Sequence, residues 1–316
     1  MAAAAGPTAS RRVGIALVIT SALGFASIGP LGKVAYRGGF TVEELQLLRF
    51  SAAAPLLVAA AALRRPAGTG EPARLTVHTR LRLLALGFVG YGIQATLYFT
   101  ALTRISASLT SLLLYLYPAL VAGAAVALGR HRLDRATATG LLLILGGTVL
   151  VVGLPAGHPD PLGVALGLGS ALWYTAYLLV GERVAAGLDP RVVAAHVVVG
   201  AALWFAVGVA LLRPDLTDDG GTAVLAGLAL AVLGTAIPIA ALFAGMARIG
   251  VTWASIGSAL EPVATVAIAV TLLGEGLSTG TVLGGAAVVT GAVVLPLVAG
   301  ATRSPAPEPV AGPPRA

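Results

Sequence analysis

Ten stretches of this chain are long, apolar and nearly free of charge, and that feature decides what it can fold into. A helix needs about 20 mainly apolar residues to cross a bilayer. Runs of that kind occupy 13–32, 42–63, 82–102, 106–128, 136–153, 162–181, 191–212, 222–246, 250–273 and 280–300. The breaks between them are chemically plain, as at Arg64-Arg65-Pro66, Arg130-His131-Arg132 and Pro159-Asp160-Pro161. Backbone in hydrocarbon must satisfy its own hydrogen bonds, so runs of this length read as helices. Strands would alternate with period two, and these runs do not. Charged residues make up 10% of the chain, against about 25% in a soluble domain. That is too few to cover a water-facing surface. The expected fold is an all-α polytopic membrane protein with ten transmembrane helices. Soluble enzyme folds, nucleic-acid modules and disordered scaffolds are excluded together.

The chain has no cysteine, which removes disulfides, thiolate metal sites and cysteine nucleophiles. It has no Asn, so it carries no glycosylation sequon. Net charge is +7, and Lys33 is the only lysine. Basic residues near span ends set orientation. With the N-terminus in the cytoplasm, 15 arginines fall on the inside. Only Lys33, Arg37, Arg104 and Arg213 fall outside, and Arg49 lies within a span. Both termini are therefore expected in the cytoplasm, in a cell inner (plasma) membrane. The first run follows Arg11-Arg12, as in a secretory signal. The nine spans after it favour a retained helix.

The chain also repeats itself. At an offset of 144, Phe99, Arg104 and Ile105 meet Phe243, Arg248 and Ile249, and Ser111, Leu116 and Pro118 meet Ser255, Leu260 and Pro262. At an offset of 149, Gly14 and Ser21 meet Gly163 and Ser170. Each half holds five spans. Five is odd, so the second half enters the membrane from the opposite side, giving an inverted-topology repeat as in many secondary transporters. The expected organisation is a cytoplasmic segment at 1–12, repeats at 13–153 and 162–300, and a disordered Pro-rich cytoplasmic tail at 301–316.

Several motifs fall in a telling order: Leu48-Arg49-Phe50, the stretch from Ala101 to Leu116-Tyr117-Pro118, Ser258-Ala259-Leu260-Glu261-Pro262, and Leu273-Gly274-Glu275. In this order and topology the chain resembles the drug/metabolite transporter superfamily, in its EamA-type branch, over about residues 13–300. One departure is Gly129-Arg130-His131, where the family often has an acid after the glycine. The second half keeps the acid as Glu275. The resemblance implies a carrier that exports or exchanges small metabolites, such as amino acids or related compounds. It does not name the solute.

Ionisable groups inside spans are costly and are functional hypotheses by default. Arg49 reads either as an anchor for an anion or as the fixed partner of a carboxylate such as Glu43 or Glu44. Glu261 stands directly before Pro262, which leaves a carbonyl of the preceding turn without its helical donor. A carboxylate there can carry a proton or hold an amine; the alternative is a structural cap or a buried partner to an Arg. Its repeat counterpart is Tyr117, also before proline. His196 can titrate near neutrality, though a lone His on such a helix is more often a packing residue. Gln94 and Tyr98 share a helix face. Trp173 and Tyr177, one turn apart, offer an aromatic wall; packing or anchoring at the interface is the alternative. Substrate-binding candidates are therefore Gln94, Tyr98, Tyr117, Trp173, Tyr177 and Glu261. Charge-coupling candidates are Arg49, His196 and Glu261.

No phosphate loop, dinucleotide fingerprint or zinc-protease motif occurs. No catalytic residue, metal or cofactor is called for. The expected partners are a small-molecule substrate and the lipid bilayer, not nucleic acid. Oligomeric state stays open between monomer and homodimer. The rival functions are an intramembrane lipid-handling enzyme or flippase, and a channel. The first needs clustered catalytic groups at one depth. The second predicts flux without saturation or counterflow.

Overall fold

A computed structural model describes residues 7–63, 75–128, 134–153, 158–212 and 221–301. The terminal segments 1–6 and 302–316 lie outside the described residues. So do the Arg-rich connections at 64–74 and 129–133 and the acidic connection at 213–220.

Among the described residues every regular element is helical. The first half holds α1 (Pro7–Ala26), α2 (Ile28–Arg37), α3 (Val42–Ala62), α4 (Val77–Ala85), α5 (Gly92–Arg104), α6 (Ala107–Leu114), α7 (Tyr117–Ala127) and α8 (Arg135–Gly153). The second holds α9 (Pro161–Val184), α10 (Pro190–Leu212), α11 (Gly221–Ala231), α12 (Ile237–Ser258), α13 (Leu260–Leu273) and α14 (Thr279–Ala301). Eight stretches are long and apolar enough to cross a membrane, and the shorter apolar helices 137–153 and 279–294 complete ten. Large apolar side chains such as Leu142, Val149, Leu225 and Leu283 stay exposed on the outside of the bundle, as lipid contact requires.

Some spans differ in detail from the sequence reading. The first is broken at Ser27, whose hydroxyl donates to the Gly24 carbonyl at 2.7 Å. The third starts at Val77, ahead of the expected 82, so Arg80 lies on its first helix rather than in a loop. Thr76 sets that start by accepting from the Thr79 amide at 3.2 Å.

The packing returns the internal repeat in three dimensions. Two seams map onto themselves when the halves are exchanged: α8 along α14, and α3 along α10. The others map onto each other: α1 packs on α12 and α13 as α9 packs on α5 and α6. The contacts carry the two offsets found in the sequence. Gly14 fits against Arg248 and Ile249, and its counterpart Gly163 fits against Arg104 and Ile105. One pair has exchanged sizes between the halves. Gly167 accommodates Leu113, whereas Gly257, the counterpart of Leu113, accommodates Val18. The α8–α14 seam has almost no side-chain thickness. A Cβ on Gly284 would stand 2.5 Å from the Gly147 carbonyl oxygen, and one on Gly147 would stand 2.6 Å from that of Gly284. Without a hydrophobic drive between helices in lipid, such close backbone approach is what holds them together.

Helix breaks also recur at equivalent places. Spans four and nine are interrupted at Tyr115–Leu116 and at Ala259, each just ahead of a proline, Pro118 or Pro262. Spans three and eight each hold a π-helical turn, at Leu86–Tyr91 and Val232–Ala236. The chain also reverses within the residues of α12. Gly245 and Gly257 both face Val18, yet twelve residues of straight helix would part them by about 18 Å.

Lys33, Arg104, His158 and Glu275 converge at one end of the bundle. Arg11, at the start of span one, instead has its guanidinium 5.7 Å above the ring of the exposed Trp253, at the start of span nine. Ends that the odd-numbered repeat sends to one side of the membrane do meet there.

Candidate functional site

The site is built on the breaks. Pro262 has no N–H, so the Ser258 carbonyl, four residues earlier, loses its helical donor. Tyr115 reaches across from the matching break in span four, placing its hydroxyl 2.8 Å from that carbonyl oxygen and 2.9 Å from Glu261 Oε2. A phenol carries one proton. With Glu261 ionised, Tyr115 donates either to the carboxylate or to the carbonyl. With Glu261 protonated, both contacts are filled: Tyr115 donates to Ser258, and Glu261 donates to the phenol oxygen.

From Tyr115 an unbroken series of rings crosses the bundle. Tyr115 meets Tyr117 at 5.8 Å between centroids, and Tyr117 meets Tyr174 at 4.9 Å. Tyr174 stacks on Tyr177 at 5.7 Å, Tyr177 meets Tyr91 at 5.7 Å, and Tyr91 meets Phe50 edge-on at 5.6 Å. Arg49 closes the series, with its guanidinium 4.7 Å over Phe50 and 5.4 Å from Phe99. The arc thus runs from a carboxylate at one end to a guanidinium at the other. It draws on spans two, three, four, six and nine, hence on both halves. Tyr91, Tyr117, Tyr174, Tyr177 and Glu261 are half-buried, so they keep surface between the helices while touching one another.

Arg49 is 1% exposed. Its Nε donates to Thr235 Oγ1 at 2.7 Å and its Nη1 to Gln46 Oε1 at 3.2 Å. The Thr235 hydroxyl donates in turn to the Leu230 carbonyl at 3.0 Å, five residues back across the π turn. Glu44 is not the partner of Arg49. It closes a capping box at the start of α3, with Oε2 accepting from the Thr41 amide at 2.8 Å and the Thr41 hydroxyl at 2.7 Å.

The remaining candidates fall in different roles. Gln94 is buried and donates to Ser170 Oγ at 3.2 Å, tying span three to span six. Tyr98 is 7% exposed and lies edge-on to Phe99, beside Gly29. Trp173 donates to the Gly90 carbonyl at 2.9 Å, inside the first π turn, so the tyrosine beside it supplies the ring that the arc uses. His196 Nδ1 stands 2.7 Å from the Val192 carbonyl oxygen of its own helix. No hydrogen bond or ring contact among the described residues joins it to the arc.

Sequence reasoning passed over Gln46, Tyr115 and Thr235. The 144-residue offset was a usable signal for Thr235, since it pairs that residue with Tyr91. Both are polar groups inside apolar spans.

At the Lys33 end the second half grips the first. Gly274 takes a left-handed conformation, φ +69°, and turns the chain out of α13. Glu275 then accepts from the Ala107 amide at 2.6 Å, the Ser108 amide at 3.1 Å and the Ser108 hydroxyl at 2.7 Å. A carboxylate here caps α6 where its free amides and dipole favour negative charge. Two cavities adjoin it. One, of about 350 Å³, is lined by Lys33, Arg104, Ser108, His158 and Glu275 among others. The other, of about 330 Å³, lies between Lys33, Tyr36, Arg37 and Glu275. Nearby, Arg104 Nη1 pairs with Asp160 Oδ2 at 2.8 Å, which holds the Asp160 carboxyl below its ordinary range.

A membrane-spanning bundle of two inverted halves, with polar and aromatic groups gathered between them, is the build of a membrane transporter. The chain belongs to the EamA-like transporter family, which matches residues 12–153 and 161–296. It is therefore a multi-pass membrane transporter of the drug/metabolite type. A solved structure, described only as the crystal structure of a protein, shares the fold with a TM-score of 0.65 and 23% identity, over 92% of this chain and 99% of its own. No curated protein matches the chain.

Proposed function

We propose that this chain is a secondary carrier that moves a small amphipathic metabolite, such as an amino acid or related compound, by alternating access. The carrying observation is Glu261 joined through Tyr115 to the open carbonyl at the Pro262 break. Loss of the Glu261 proton draws the single Tyr115 proton away from Ser258. A change in charge is thereby coupled to the joint where span nine is broken. The tyrosine arc supplies an apolar wall with phenol edges, suited to organic solutes rather than bare ions.

Movement follows from the symmetry. The clasp of Glu275 on α6 holds the Lys33 end closed, and its release is the step that opens that end. In the first half the residue that follows the matching glycine, Gly129, is Arg130 and not an acid. The 15-to-4 division of basic residues puts the Lys33 end outside and both termini in the cytoplasm of a cell whose inner membrane holds the carrier. On that reading the acid clasp faces outward and net transport runs outward, as export or exchange. No step needs a nucleotide.

The test is a panel of amino acids, polyamines, sugars, nucleosides, organic cations and small carboxylates, scored by thermal stabilisation in detergent and then by counterflow in liposomes. A carrier gives saturable uptake stimulated by solute on the far side. Flux that neither saturates nor exchanges overturns this reading in favour of a channel.

A further inference from the structure

Among the described residues the charge of Arg49 has no counter-charge. It sits nearly fully buried between the rings of Phe50 and Phe99. Among the described residues it has no ion pair, and the ionisable groups that bear on it are the phenols of Tyr91, Tyr98 and Tyr36. A guanidinium offers five N–H donors. One goes to Thr235 and one to Gln46. The Tyr91 phenol also stands close enough to interact with the guanidinium, but among the described residues the buried Nη2 meets no acceptor at hydrogen-bonding geometry, and neither does Nε2 of Gln46, whose side chain is fully buried on the same helix face one turn away. The Gln46 oxygen already accepts from Arg49, so its amide group is held beside the guanidinium. Two adjacent groups therefore present only donors, in a dry setting, around a formal positive charge. Leaving buried donors unmade is costly, and leaving a buried ion unpaired is costlier still.

We propose that Gln46 and Arg49 form a binding site for a small anion that only accepts hydrogen bonds, a halide or a carboxylate. Neutral polar ligands satisfy the donors but not the charge. A free metal cation is repelled. The site does not rest on the carrier reading, because it follows from the charge and the unfilled donors of Gln46 and Arg49. The carboxylate can belong to a transported molecule, or a free inorganic anion can fill the place permanently.

The experiment follows the unfolding midpoint of the full chain in detergent as chloride or acetate replaces a bulky sulfonate at constant ionic strength. The wild type is expected to show a saturable rise with at least one of them. Gln46→Glu keeps the shape and provides the missing charge internally. Its midpoint without added anion should exceed that of the wild type, and its response to anion should vanish. Gln46→Ala should raise the half-saturating concentration about tenfold or more, the factor carried by one lost hydrogen bond to a charged group. Displacement of chloride by a solute that the liposomes exchange would assign the site to the substrate's carboxylate. A chloride response indifferent to such solutes would assign it to a free halide. A wild-type midpoint independent of both anions, or an unchanged response in Gln46→Glu, overturns the proposal.

Discussion

Adding one methyl at Gly257 tests how the two halves lock together. A Cβ there would lie 2.5 Å from Cγ1 of Val18, where carbon atoms in contact prefer roughly 3.5–4 Å. Val18 is 1% exposed and β-branched, so its methyl cannot swing aside. Gly257→Ala should therefore cost about 1–3 kcal/mol, the usual range for overpacking. Val18→Ala alone removes two buried methyls and should cost a similar 1–3 kcal/mol or so, scaled from single-methyl deletions. Together the two changes relieve each other, because the new methyl enters the space that the old ones leave. The coupling should be about 1–2 kcal/mol in favour of the double variant. Gly167→Ala is the internal control. The equivalent contact there is to Cδ1 of Leu113 at 2.8 Å, the end of a more flexible side chain, so it should cost less than Gly257→Ala. The assay is equilibrium unfolding in mixed micelles with increasing denaturing detergent. Additivity of the two single changes within about 0.5 kcal/mol, or a neutral Gly257→Ala, would refute the packing exchange between the halves.

Three further outcomes follow. Glu275→Gln keeps the shape of the α6 cap but removes its charge, so stability should fall by about 1 kcal/mol. The Lys33 end should also open more often, and because the chain has no cysteine, a single Ser106→Cys label reports this directly; labelling no faster than in the Glu275 parent would count against the clasp. The Asp160 carboxyl is held low in the folded state by Arg104, so its contribution is present above the unfolded carboxylate range, about pH 4, and is lost as pH falls through the lower folded value. The pair is exposed, so Asp160→Asn should flatten the acid limb of a stability–pH curve only slightly. Trp173→Phe removes the bond to the Gly90 carbonyl and should cost about 1 kcal/mol in unfolding, while substrate affinity changes little if Tyr174 and Tyr177, not Trp173, face the solute.

The fold was legible because its causes are local or repeated. Bilayer thickness sets the length of each apolar run, and the offsets that pair Gly14 with Gly163 and Arg104 with Arg248 reappear as matched contacts. Pro118 and Pro262 marked the broken spans. Glu261 stood out for its cost in lipid and for the proline beside it. Its partner did not, since Tyr115 lies 146 positions away and only the crossing of spans four and nine brings them together. Helical phase also left a choice in span six. Tyr177 shares a face with both Trp173 and Tyr174, and only the neighbouring helix shows that Trp173 turns to the Gly90 carbonyl. Arg49 was open between an ion pair and an anion anchor. The capping box that occupies Glu44 removes that partner, a fact of side-chain geometry and not of spacing.

The central claim is that Glu261 couples its proton to the movement of a solute. The most direct measurement is counterflow in proteoliposomes over a range of pH, for any solute of the panel that stabilises the protein, comparing the wild type with Glu261→Gln. The account predicts saturable exchange whose rate depends on pH in the wild type and not in the variant, with the variant still folded and inserted. An unchanged pH dependence in Glu261→Gln would contradict it.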